Sequence, residues 1–165
     1  MADNQRMFET LTDFKDYLTT GDAFKTKVAS VASDYSVTMP SIGGTYWHFL
    51  DTYYDKSYQY PSIEIVPVRR TKESKYYQTP SIDEKLFYID VLISHKAGDP
   101  KTVQNVVMVF AEALSELLED DQTCGSRFLQ AVDTEIDYTA IMEDQKDGQM
   151  LQILPITIMI KRAIH

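Results

Sequence analysis

Three histidines, one cysteine and a run of carboxylates are the side chains in this sequence best suited to acting on a substrate or holding a metal. His48, His95 and His165 share no helical ligand spacing, and none stands in an HExxH pattern. His48 sits among aromatic residues, which suits a packed or hydrogen-bonded side chain better than a ligand. His95 closes an apolar run and His165 is the last residue, so neither has a sequence neighbour that marks a proton relay. Cys124 is the only cysteine, which excludes an intramolecular disulfide and any cysteine-built metal site. It follows Glu119, Asp120 and Asp121, whose charge raises a thiol pKa and makes Cys124 a poor nucleophile. The same run, "EDDQTCGSR", lacks the alternation and closing glutamate of a calcium loop and reads as a solvated helix end. Gly43 and Gly44 belong to no phosphate-cradling glycine motif. The expectation is a protein with no catalytic, cofactor-binding or metal-ligating residues, and not an enzyme. A small cytosolic enzyme whose site is assembled from distant residues is the alternative from another class.

Contact chemistry is better represented. Seven aromatic residues fall between Tyr46 and Tyr60. Trp47 and Phe49 are assigned to the core. Tyr46, Tyr53, Tyr54 and Tyr58 are candidate interface residues, because tyrosine offers a large contact area and a polar tip that tolerates water. Arg69, Arg70, Lys72 and Lys75 form the one local positive cluster, read as a loop between two antiparallel strands. An exposed connection is the preferred reading; the others are phosphate contacts beside Tyr76 and Tyr77, contact with the acidic patch of a neighbouring copy, or projection into a channel that carries DNA. Asp144 and Lys146, in the loop "MEDQKDGQM", complete the candidate interface set.

The totals bound these choices. At 165 residues, 44% hydrophobic and 25% charged, the chain suits one soluble domain, 1–165, with a sizeable core. The net charge of −9 argues against broad phosphate binding and weakens a DNA-binding reading of the basic loop. It divides into −3 over residues 1–60, +1 over 61–111 and −7 over 112–165. A near-neutral middle and an acidic end could attract one another between copies. No basic-then-apolar leader opens the sequence, and no apolar run is long enough to span a bilayer, so no membrane is expected.

The elements that must position these residues follow from period and punctuation. Met7, Leu11, Phe14 and Leu18 predict a helix from Gln5 to Thr20, and Phe24, Val28, Val31 and Tyr35 predict a second one capped by Asp22. These helices occupy 1–38, and the sheet and long helix occupy 60–165. Alternation predicts strands at Ser62–Val68 and Leu86–His95, with Pro67 at an edge or strand end. "GDPKTV" caps a long helix over about 100–119, whose apolar stripe runs from Val103 to Leu118. Strands are predicted at Arg127–Tyr138 and Gln149–Ile164, the second entered through a turn at Asp147-Gly148. The fold class is α+β: about four mostly antiparallel strands packed against the long helix, with two N-terminal helices.

Four strings in this order resemble the tail terminator, or tail completion, proteins of long-tailed bacteriophages. They are "YPSIEIVPV", "KLFYIDVLISHKAGDPKTVQNVVMVFAEALSELL", "VDTEIDYT" and "GQMLQILPITIMI", which together span about residues 60–165. The resemblance implies a structural virion protein found in the host cytoplasm during assembly. It would cap the tail tube as a homo-oligomeric ring, usually of six subunits. Its partners would be the tail tube protein and a neck or head-completion protein, with DNA passing through the ring. Another neck or head-completion adaptor is the alternative within the same class. A ring needs two unlike faces that meet, and open strand edges could pair between subunits. The aromatic segment and the loops 69–80 and 142–149 are the expected contact regions.

Overall fold

The computed structural model describes residues 2–41, 46–50, 59–72 and 83–164. Its order is α1 (Ala2–Thr19), α2 (Ala23–Asp34), β1 (His48–Leu50), β2 (Ser62–Lys72), β3 (Asp83–Ala97), α3 (Pro100–Asp120), β4 (Gln130–Ile136), β5 (Met142–Glu143) and β6 (Met150–Ile164). The α+β class holds. The sheet, however, has six strands among the described residues rather than about four, in the order β1-β2-β3-β6-β4 with β5 also on β6. The four expected strands are β2, β3, β4 and β6. The additional two, of three and two residues, are too short to carry a period-2 pattern. β1 runs parallel to β2, and every other pairing is antiparallel.

Helix α3 forms where its signals place it. Asp99 accepts from the Lys101 amide and the Thr102 hydroxyl, and Pro100 stands at the first turn, where a missing N–H costs nothing. Val103, Val106, Val107, Phe110, Leu114, Leu117 and Leu118 are all buried. All of these but Val103 join Phe87, Ile89, Val91 and Ile93 of β3, Leu154, Ile156, Ile158 and Ile160 of β6, and the apolar sides of α1 and α2 in one core. Asp22 occupies the N-cap position of α2, but its side chain makes no capping bond. Tyr35 departs from expectation: it lies at the C-cap of α2, past the last helical turn, and is exposed.

Three strands differ from their predicted bounds by more than one residue: β3 runs from Asp83 to Ala97 rather than from Leu86 to His95, and β2 and β4 change for local reasons. β2 does not stop at Val68 but continues to Lys72, because its pairing with β3 resumes at Arg69↔Tyr88 after a bulge at Val68. The bulge inserts one residue and shifts the alternation, which hides the continuation from a period-2 reading. β4 is shorter than predicted. Residues 121–129 form turns instead, with Cys124, Gly125 and Ser126 all at positive φ. Among the described residues Pro67 stands on an unpaired edge of β2, as expected, since β1 pairs only with Ser62–Glu64. Pro155 in the central β6 is also tolerated. Its carbonyl accepts from the Asp137 amide just beyond the end of β4, so the missing N–H faces the gap between β4 and β5.

Candidate functional site

Strand register sorts the candidate residues to two ends of the sheet. At one end, β2 carries Arg69, Arg70 and Lys72 alongside β3 and β6, where Lys72↔Lys85, Lys85↔Arg162 and Leu86↔Lys161 are partners. Three cations are thereby added to the cluster read from sequence: Lys85, Lys161 and Arg162. They lie far from Arg69 along the chain and are brought beside it only by strand order. Arg162 is turned inward, its guanidinium 2.7 Å from Asp13 and 3.2 Å from Thr10 of α1. Arg69 is exposed and stacks 4.3 Å from the Tyr88 ring centroid on the sheet face away from the helices. Lys75, Tyr53, Tyr54 and Tyr58 lie outside the described residues. Tyr46 is half-buried against the core, whereas Trp47 is buried between Phe24 and Phe110.

The other end holds the β5–β6 hairpin, and from Tyr88 to Lys96 β3 spans roughly 27 Å. Lys96 grips Asp144 at 2.6 Å and also pairs with Asp147. Within the loop Asp144 accepts from the Lys146 amide, and Gly148, at φ +72°, donates its amide to the Asp144 carbonyl. The Lys96 ammonium holds both carboxyls below the usual range, and they in turn push Lys96 above its own. Because both acids are depressed, this latch is intact above about pH 4 and weakens as pH falls through their lower folded values. Replacing Lys96 with Ala is expected to speed amide exchange at Lys146, Gly148 and Gln149 several-fold while leaving core amides unchanged. Exchange monitored by NMR would refute the latch if those three amides kept wild-type rates.

The chemical candidates are enclosed by the fold. Cys124 is fully buried, and burial with Asp121 nearby pushes its thiol up to about 12. Asp121 organises the turn after α3 by accepting from Tyr17, Thr123 and Gly125. His95 is buried on β3 beside Gln152 of β6, and burial lowers its pKa. His48 begins β1 and is half-buried. Among the described residues, no group of three His, Cys, Asp or Glu side chains could hold a metal, and no helix is long and apolar enough to cross a membrane.

Sequence reasoning missed Glu64. Glu64 lies on the opposite face of β2 from Ile63 and Ile65, yet it is only 3% exposed and neither carboxylate oxygen has a hydrogen-bond partner. Buried Ser62 and Ser94, which are register partners, lie next to it on the same sheet face. A lone acidic residue in an apolar strand reads as solvent-facing, so nothing in the sequence signals its burial.

The open strand edges are guarded. β2 carries Pro67 and its bulge, and β4 carries a bulge between Asp133 and Glu135. Both devices oppose strand addition by another chain. The two broad surfaces are unlike: helices cover one face of the sheet, while the other presents Arg69, Tyr88, Leu92 and Ile153. No protein-family model matches this chain, and no curated protein matches it.

Proposed function

We propose that this protein is a ring-forming structural subunit of a long-tailed phage virion: the tail terminator, which caps the tail tube and joins the tail to the head–neck complex. The strings that resemble that family fall on β2, on β3 with α3, on β4 and on β6, the long elements of the sheet-and-helix body. The observation that supports the reading is the pair of unlike faces: a helical layer on one side of the sheet and, on the other, a face that no described helix covers, with Arg69 and Ile153 exposed and Ser62, Glu64 and Ser94 buried. Repeated contact between unlike faces builds a closed ring when the rotation between subunits closes. Partners on this reading are further copies of the chain, usually six in all, the tail tube protein and a neck or head-completion protein. DNA would pass through the lumen.

The test combines solution mass at several concentrations with negative-stain imaging, alone and with tail tubes added. Annuli that cap tube ends and halt tube growth are expected. Rings that bind portal and ignore tubes would assign the chain to a head-completion adaptor instead. No ring under either condition would remove the reading.

A further inference from the structure

Two features on opposite sides of the molecule have unused binding capacity. The first is the β2 bulge. Val68 is the extra residue there and is 50% exposed, an unusual setting for a branched apolar side chain in a strand. Next to it, Arg69 stacks on Tyr88 but makes no ion pair or hydrogen bond with any described residue. The stack holds the guanidinium in place and leaves its N–H donors unused. An exposed apolar side chain and a preorganised cation therefore adjoin at the bulge, with Arg69 on the face that carries Tyr88.

The second feature is a groove of about 200 Å³ between α2 and α3, on the helical side. It is lined by Val31, Tyr35, Val37, Met108 and Val109 together with the polar Asn105 and Glu112. Tyr35 is 64% exposed where it flanks the groove. Glu112 forms no ion pair with any described residue. The groove thus offers a mainly apolar trough whose lining includes one carboxylate without an ion pair among the described residues. This complements the bulge in both polarity and charge.

We propose that the β2 bulge of one copy seats in the α2–α3 groove of the next, Val68 entering the trough and Arg69 meeting Glu112. This inference rests on the ring reading and deepens it by naming the two surfaces that meet. The occupant is a second copy because the chain itself supplies both halves, and within one copy they lie on opposite sides of the sheet. Such a contact is head-to-tail, the kind that makes a ring rather than a two-fold dimer. It also explains how copies could associate although Pro67 and the two bulges block ordinary edge pairing. Arg69 and Glu112 would supply orientation, and Val68 would supply most of the apolar burial.

The experiment is self-association of the full chain by sedimentation, with annuli scored by negative stain. Val68→Asp, Arg69→Glu and Glu112→Arg are each expected to weaken association about ten-fold or more. Val68 and Arg69 are exposed and Glu112 is only half-buried, so circular dichroism should stay at wild type. Mixing Arg69→Glu chains with Glu112→Arg chains would still leave mismatched pairs, so the decisive variant carries both changes and should recover association. In addition, Val68→Cys chains mixed with Met108→Cys chains should form a disulfide between unlike chains on oxidation. Annuli that persist in Val68→Asp, or a disulfide between two Val68→Cys chains, would overturn this contact while leaving the ring reading intact. If wild-type chains form no oligomer with or without tail tubes, both fall together.

Discussion

Replacing Phe110 with Ala should destabilise the protein by about 3–5 kcal/mol, the usual cost of emptying a fully buried aromatic site. Phe110 is 0% exposed at the centre of α3 and meets the edge of Trp47, with ring centroids 6.0 Å apart and planes at 86°. Trp47 also packs on Phe24 of α2 at 4.8 Å. The three rings tie together α2, the segment entering β1 and α3, so the lost ring removes contacts from three parts of the chain. A domain's whole stability is commonly about 5–15 kcal/mol, which makes this loss a large fraction of it. At roughly 2–4 °C per kcal/mol for a chain of this size, the melting temperature should drop by about 6–20 °C. Trp47 is the only tryptophan, so its emission reports the transition directly. Phe8→Ala is the control: Phe8 is 72% exposed, and its loss should change stability by no more than about 0.5 kcal/mol. Equal losses for Phe8 and Phe110 would contradict the packing described above.

How legible each part was depends on whether local pattern or strand order decides it. The long helix declared itself through Asp99, Pro100 and a seven-residue apolar stripe, all of which act within the segment. β3 and β6 were readable because each keeps strict alternation along its paired length, with Phe87–Ile93 and Leu154–Ile160 facing the core. β2 was cut short at Val68 because one inserted residue inverts the pattern that had identified it. The basic end was half legible. Arg69, Arg70 and Lys72 are neighbours in sequence, whereas Lys85, Lys161 and Arg162 join them only because β3 lies between β2 and β6. Alternation says which way a side chain points but not which strand stands beside it. The α2–α3 groove was invisible for a related reason. Tyr35 keeps helical spacing with Val31 yet falls past the end of α2, so it flanks the groove instead of filling the core.

Glu64→Gln should make the protein more stable at neutral pH, against the usual trend for substitutions at a buried position. Both Glu64 oxygens lack a partner and the residue is 3% exposed, so burial pushes its carboxyl above the ordinary glutamate value. The folded state therefore holds the proton more tightly than the unfolded chain, in which a glutamate titrates near about 4.3. Stability is consequently least penalised below that value. It declines as pH rises toward the raised folded pKa and stays reduced at neutral pH. Glutamine has nearly the same shape but never ionises, so it removes the charge without opening a cavity. The glutamine amide is still a buried polar group, so only the extra cost of the charge is removed and a gain on the order of 1 kcal/mol is expected at pH 7. The gain should shrink toward zero near pH 4, where wild-type Glu64 is itself neutral. Urea unfolding of both proteins between pH 4 and 8 would show the two curves converging on the acid side. If the variant instead were less stable at pH 7, Glu64 would be an ionised side chain with a cationic partner, and its burial would need that partner to explain it.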